Sequence, residues 1–267
     1  MQSKYLLIGL MLSLLTFQAA QADGFDHSIW NNLLIANVLP INGGVATVVD
    51  YEGMAGDHNK LKQYLSAHST VSQASFDSWP RDEQLAFLIN AYNAWTVELI
   101  LTAWPDLKSI KDTGSFLRSP WSKEFVPLLG KTRSLDDIEH HLIRGSGAYD
   151  EPRIHFAVNC ASIGCPALRP EAYEGSRLNE QLEEQTRLFL MDTSRNRVDN
   201  NVIKLSSIFK WYREDFEQGW LGYNSLEEFL AAHADALNLS NTLLEKLEHA
   251  DVDIEFIDYD WRLNDQR

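Results

Sequence analysis

The sequence predicts an α+β fold: a mainly helical single domain packed on a small, mostly antiparallel sheet. Three observations carry that expectation. Apolar residues recur at helical spacing over most of the 267 residues. Short β-branched runs, near 45, 124, 153, 197 and 252, stand between the helical stretches and are set off by turn residues such as Asn42-Gly43-Gly44. No internal repeat, low-complexity tract or Pro/Gly/Ser-rich linker divides the chain.

The first segment stands apart. Lys4 precedes an apolar run from Tyr5 to Phe17, and Ala20-Gln21-Ala22 has the small-x-small form of a cleavage site. Residues 1–22 therefore read as a secretory signal peptide, and residues 23–267 as one globular domain that is periplasmic or secreted. No later run approaches the ~18 apolar residues a membrane crossing needs, so no span is expected after cleavage. With 23 Lys+Arg against 38 Asp+Glu the formal charge is −15. Such a surface repels nucleic-acid phosphates and anionic headgroups, which leaves a small molecule, a peptide or an envelope protein as the expected partner. No motif calls for a cofactor.

The elements follow in order. Ile29, Trp30, Leu33, Leu34 and Val38 predict a helix over 25–39 that stops at Pro40, and Val45–Tyr51 reads as a strand. A short helix over 57–67 carries Leu61, Tyr64 and Leu65. Ser78, Pro80, Asp82 and Glu83 mark the start of the longest helix, with acidic side chains where its dipole favours them. Leu85, Leu88, Ile89, Tyr92, Trp95 and Leu99 form its apolar face. Asn90 and Asn93 lie beside that face. An amide competes for backbone hydrogen bonds inside a helix, so two of them call for specific partners, either a loop to pin or a substrate.

Residues 104–123 read as loop, and 124–133 as a hairpin turning at Gly130. Ser134-Leu135-Asp136-Asp137 is a capping signature for a helix through Arg144. On an α-helical wheel Leu135, Ile138 and Leu142 share one face, and His140 points away with Asp136 and Arg144. A helix over 176–191 and a hairpin over 197–204 follow. Helices over 206–216, 225–234 and 239–250 then lead to a last strand over 252–257. The aromatic tail Tyr259-Asp260-Trp261 is expected to dock rather than hang free.

The chemistry concentrates in Glu151–Pro170, EPRIHFAVNCASIGCPALRP. Alternation of Ile154, Phe156 and Val158 predicts a strand over 153–159, delivering Asn159 and both cysteines, Cys160 and Cys165, to a loop. Two cysteines five positions apart in an exported chain are most simply a disulfide. The competing expectation is a thiol nucleophile at Cys160, which needs a base to lower its pKa. On a straight strand His155 would lie roughly 16 Å from Cys160, so His140 is the first choice of base. His155 then orients a substrate or completes a relay from Asn93, by the general logic of a triad. Asn90, Tyr92, Asn159 and Arg153 are the candidate substrate contacts. This scheme requires one hollow shared by the sulfur, the helix amides and an imidazole.

Four blocks together, FLINAYNAW (87–95), SLDDIEHHLIR (134–144), RIHFAVNCASIGCPAL (153–168) and SSIFKWYREDF (206–216), with YDWRLN near the end, resemble the bacterial family labelled domain of unknown function 547. The chain departs from that pattern at Leu88, where the family tends to have Trp, and at Gly164, where it tends to have Ser. The resemblance implies an exported or envelope protein of one fold and brings no established reaction with it. His140 coincides with the histidine of the family's IEH block. The alternatives are a thiol-dependent hydrolase or acyl transferase, and a non-catalytic envelope module with a structural disulfide and a groove lined by Trp95, Trp121 and Trp211. A Cys/His metal site matches zinc spacing only loosely. A redox pair lacks the C-x-x-C spacing.

Overall fold

The computed structural model describes residues 24–115 and 119–267. The expected signal peptide lies outside the described residues. Among them, no helix is long and apolar enough to cross a membrane.

The N-terminal half builds one hydrophobic core around a central helix. α1 (Ser28–Asn37) gives way at Val38 to β1 (Val38–Ile41), which pairs antiparallel with β2 (Ala46–Val49). The helix predicted through Leu39 thus ends two residues early, because the chain turns back at Asn42–Gly44 to satisfy its backbone in a hairpin. α2 (Tyr51–Gly56) starts where the Asp50 carboxylate accepts from Gly53 N–H at 2.9 Å. α3 (His58–Ser69) and α4 (Gln73–Asp77) lead to α5 (Arg81–Leu101). Nearly every residue of α5 from Leu85 to Val97 is buried, polar ones included. A helix covered on all sides is a core element, which is why its asparagines must find partners inside the protein. The hairpin β3 (Val126–Leu128) and β4 (Lys131–Arg133) turns at Leu129-Gly130, both at positive φ.

The C-terminal half forms a second core of stacked rings, Phe156, Phe189, Phe209, Phe216 and Phe229. Around it lie α6 (Leu178–Met191), the antiparallel pair β5 (Arg197–Asp199) and β6 (Val202–Ser206), α7 (Ser207–Trp211), α8 (Leu226–Ala232) and α9 (Asn241–Glu248). β7 (Ile254–Ile257) joins β6 in parallel, giving the order β5-β6-β7. The fold class is α+β, but the single sheet expected from the sequence is three separate ones.

One predicted strand is absent. Residues 153–159 are not extended; Pro152–Phe156 is a 3₁₀ turn, started by Pro152 and by the Glu151 carboxylate accepting from Arg153 N–H. The apolar alternation has a different cause. Ile154 and Val158 enter the first core while Phe156 enters the second. The segment threads the seam between two cores and is buried throughout, and a two-sided burial imitates the alternation of a strand.

The aromatic tail docks across this seam. Asn264 carbonyl accepts from Val49 N–H at 2.8 Å, its side-chain oxygen accepts from the Tyr51 hydroxyl, and its N–H donates to Ala161. Upstream, Ile163 and Gly164 N–H groups donate to Arg262 and Asp260 carbonyls. The cysteine loop is therefore held between the tail and α5.

Candidate functional site

The amides of α5 hold this loop in place. Asn93 donates to Ala157 carbonyl (2.9 Å) and accepts from Asn159 N–H (2.8 Å). Asn90 makes the same two-way pair with the backbone of Tyr173. Asn159 in turn donates to Pro166 carbonyl and accepts from Ala161 N–H. The expected substrate-facing amides are thus fully engaged with backbone, and none of the three lines the cavity described below. Arg153 also lies apart, paired with Glu151 and reaching Asn179 and Glu183.

Cys160 and Cys165 form a disulfide. Cys160 N–H donates to the Cys165 sulfur, and the Tyr259 hydroxyl stands 3.0 Å from each sulfur as a donor to the pair. Gly164 makes room for that phenol. A Cβ there would come within 2.9 Å of Asp260 N and 3.0 Å of the Tyr259 ring, so the departure from the family's Ser has a steric reason in this chain. In the bridged state neither sulfur is a nucleophile.

The disulfide borders a cavity of about 220 Å³ in the seam. Its other walls come from five elements. Trp121 and Trp261 enclose it from the loops, and Ile208, Trp211 and Tyr212 from α7 and its end. Tyr92 reaches it from α5, His155 from the 3₁₀ turn, and Asp136, Glu139 and His140 from the turn after β4. Five of the predicted site residues, Cys160, Cys165, His140, His155 and Tyr92, therefore meet here. Trp95 of the expected groove packs instead against Phe125 in the core, while Trp121 and Trp211 reach the cavity.

The segment bearing Glu139 and His140 is not an α-helix. Ser134 and Asp137 cap each other's N–H groups at 3.0 Å, as the capping signature predicts, but Asp137–Ile143 winds as a π-helix. Ile138, Glu139 and Ile143 are buried in it, and Leu142 packs half-buried against the first core. Glu139 is only 5% exposed. Glu139 follows Leu135 by four positions and so shares its face even on an α-helical wheel; it is the main residue that sequence reasoning missed, and that spacing was the signal for it.

His155 stacks on Tyr212, with ring centroids 3.9 Å apart. Its Nε2 donates to Asp215 Oδ2 at 2.6 Å. Arg144 donates to both Asp215 oxygens, at 2.5 and 2.9 Å, and to His140 Nδ1 at 2.9 Å. Burial pushes the Asp215 carboxyl up, but the hydrogen bonds and charges of His155 and Arg144 outweigh it and hold it at about 2. Burial draws His155 below the usual imidazole value despite Asp215, which keeps the ring neutral. With Nε2 donating, Nδ1 is an acceptor, and it is buried without a partner. Burial raises Asp136 above the usual carboxylate range. It also raises the phenols of Tyr92 and Tyr212, with the Glu139 carboxylate adding to the shift.

The cavity thus presents the carboxylates of Glu139 and Asp136 between aromatic faces and beside the His155 ring, with no lysine or arginine among its described lining residues. Among the described residues, no three His, Cys, Asp or Glu side chains are grouped to hold a metal ion. Asp215, Tyr259 and Trp261 were invisible as site residues in the sequence; the unusual aromatic tail was the only signal for the last two.

No curated protein and no solved structure matches the chain. Residues 76–190, the stretch that carries α5, the π-helix and the cysteine loop, match the model of the family described as "Protein of unknown function, DUF547".

Proposed function

We propose that this chain is an exported binding protein that holds a small molecule, or one side chain of a peptide, in the seam cavity. The Cys160–Cys165 disulfide serves as the structural border of that cavity. The observation that supports this reading is the combination of a bridged cysteine pair with an aromatic, acceptor-lined hollow. Pockets of this kind place a few oriented polar groups among apolar walls. Export is supported by the charged and apolar pattern of residues 1–22, and a disulfide fits an oxidising compartment.

Intrinsic tryptophan emission tests the binding reading, because Trp121, Trp211 and Trp261 all border the cavity. A screen of small amines, acids, amides and sugars is expected to find a saturable quench that is lost in Trp211→Ala. A screen without any saturable quench would sink it.

A second reading is favoured by one observation. Cys160 remains partly accessible and shares the cavity with His140 and His155. Reduction of the bridge would open a thiol to the same cavity as two imidazoles, one of them already oriented by Asp215, and a thiol-dependent hydrolase or acyl transferase would need one of them to close on the sulfur. Alkylation of periplasmic protein without reductant separates the two readings. Protection of both cysteines supports the binding protein. Stoichiometric labelling of Cys160, with loss of a phenotype in Cys160→Ser, supports the enzyme.

A further inference from the structure

We infer that the occupant of the seam cavity is a cation with N–H donors, a primary ammonium or a guanidinium carried on a short alkyl chain. This rests on the proposal that the cavity is a binding site, and it names the ligand class.

Glu139 lines the cavity. Its carboxylate is among the most buried charges of the described residues, yet among those residues no lysine or arginine pairs with it, and its hydrogen bonds come from the neutral phenols of Tyr92 and Tyr212. Its nearest basic nitrogen is His140 Nδ1, at 4.0 Å. That nitrogen already accepts a hydrogen from Arg144 and so has none to donate. A buried carboxylate without a cationic partner is costly, and a protein keeps one where a ligand completes it. Asp136 adds a second negative charge to the same lining.

The unpartnered His155 Nδ1 is the second observation. It is a buried acceptor on a ring that lines the cavity, and within the described residues nothing donates to it. Two carboxylates and a bare imidazole nitrogen make a site that takes hydrogen bonds. An anionic ligand would be repelled, and a neutral one would leave Glu139 with phenol donors and no opposite charge.

The walls agree with this sign. Trp211 and Trp261 stack with centroids 5.8 Å apart, and Tyr259 lies 4.9 and 4.4 Å from them. Indole and phenol faces attract cations. Trp261 already does so, since the Lys111 ammonium sits 3.5 Å from its centroid, and the Arg144 guanidinium lies over Tyr212 at 4.9 Å. The volume suits one side chain of lysine or arginine size.

Isothermal titration of the purified protein decides the matter. The probes are N-acetyl-lysine methylamide, N-acetyl-arginine methylamide, the neutral N-acetyl-citrulline methylamide, tetramethylammonium, and the free amines cadaverine and agmatine. At least one lysine-, arginine- or amine-bearing probe is expected to bind about tenfold or more tightly than both the citrulline compound and tetramethylammonium, because a charge-assisted hydrogen bond is lost in each control. Binding of the blocked amino acids identifies a peptide side chain as the source; binding of the free amines alone identifies a small polyamine. Glu139→Gln is expected to weaken the binding about tenfold or more. Trp211→Ala, at a residue 48% exposed and so safe for folding, is expected to weaken it severalfold.

Citrulline compound binding as well as its arginine counterpart overturns the inference, and this arm uses the unaltered protein. Tetramethylammonium binding as well as the primary ammonium overturns the assignment of N–H donors. If neutral or acidic compounds give the saturable, Trp211-dependent quench while every cation fails, the binding proposal stands and the ligand class falls. If nothing binds, both fall.

Discussion

Two sets of charged side chains meet at the seam, and they are built in opposite ways. Arg144, Asp215 and His155 close on one another: the carboxylate accepts from both partners, and its acidity is set by them. Asp136 and Glu139, a few ångströms away across His140, have no lysine or arginine partner among the described residues, and Glu139 is met by the phenols of Tyr92 and Tyr212. Buried charge that is paired ties elements together, here the π-helix to the end of α7 and the 3₁₀ turn. Buried charge left open stores a cost that a ligand can relieve. The contrast separates structural electrostatics from binding electrostatics within one cavity wall.

The largest expected effect breaks the closed set. Asp215→Ala leaves a buried imidazole and a half-buried guanidinium without their acceptor and is expected to cost about 3–5 kcal/mol, read as a lower urea midpoint with an unchanged slope. Removing the disulfide with Cys160→Ser/Cys165→Ser restores the freedom of a short loop and is expected to cost about 2 kcal/mol. Binding in that variant should weaken through the altered border, even though neither sulfur reacts.

Acid should act on the closed set and on a second buried imidazole. Burial lowers His155, and it lowers His27 to about 4, while Asp215 is held at about 2. Each folded value lies below its unfolded one, so each group's stabilisation is complete above the unfolded pKa and is lost as pH falls. The imidazole contributions should fade from about pH 6.5 downward and that of Asp215 from about pH 4. A flat denaturation midpoint between pH 7 and pH 4 would contradict the neutral burial of both rings.

Gly164→Ala puts a Cβ against the Tyr259 ring and Asp260 backbone and is expected to cost about 1–2 kcal/mol, with the near-ultraviolet signal of the tyrosine–tryptophan cluster reduced. Smallest of all should be the stability effect of Glu139→Gln, within about 1 kcal/mol and of either sign, because an amide removes an uncompensated charge. A loss of 3 kcal/mol or more there would place Glu139 in the closed set and erase the distinction.

Much of this was legible in the sequence. α5, the turns at Gly130 and Asn200, the capping residues before the π-helix, and Cys160 with His140, His155 and Tyr92 as cavity residues all follow from spacing and residue type. Asn90 and Asn93 were legible as residues needing partners, but whether those partners were backbone or substrate was not. The strand at 153–159 was misread because burial between two cores and burial on one face of a sheet leave the same alternation. Asp215 and Trp261 escaped notice because their partners are distant in the chain: Asp215 meets His155 and Arg144, 60 and 71 positions away, and Trp261 meets Trp121 and Trp211.

Local pattern alone determined which stretches are helical, where the hairpins turn, and which thiols are near enough to bridge, since each depends on neighbours within a few positions. Tertiary structure alone decided that the sheet is divided, that Glu139 meets phenols and no basic side chain among the described residues, and that an imidazole nitrogen is left bare among aromatic rings. These depend on which side chains from distant segments fill or fail to fill the space around a buried group, and spacing along the chain carries no record of that.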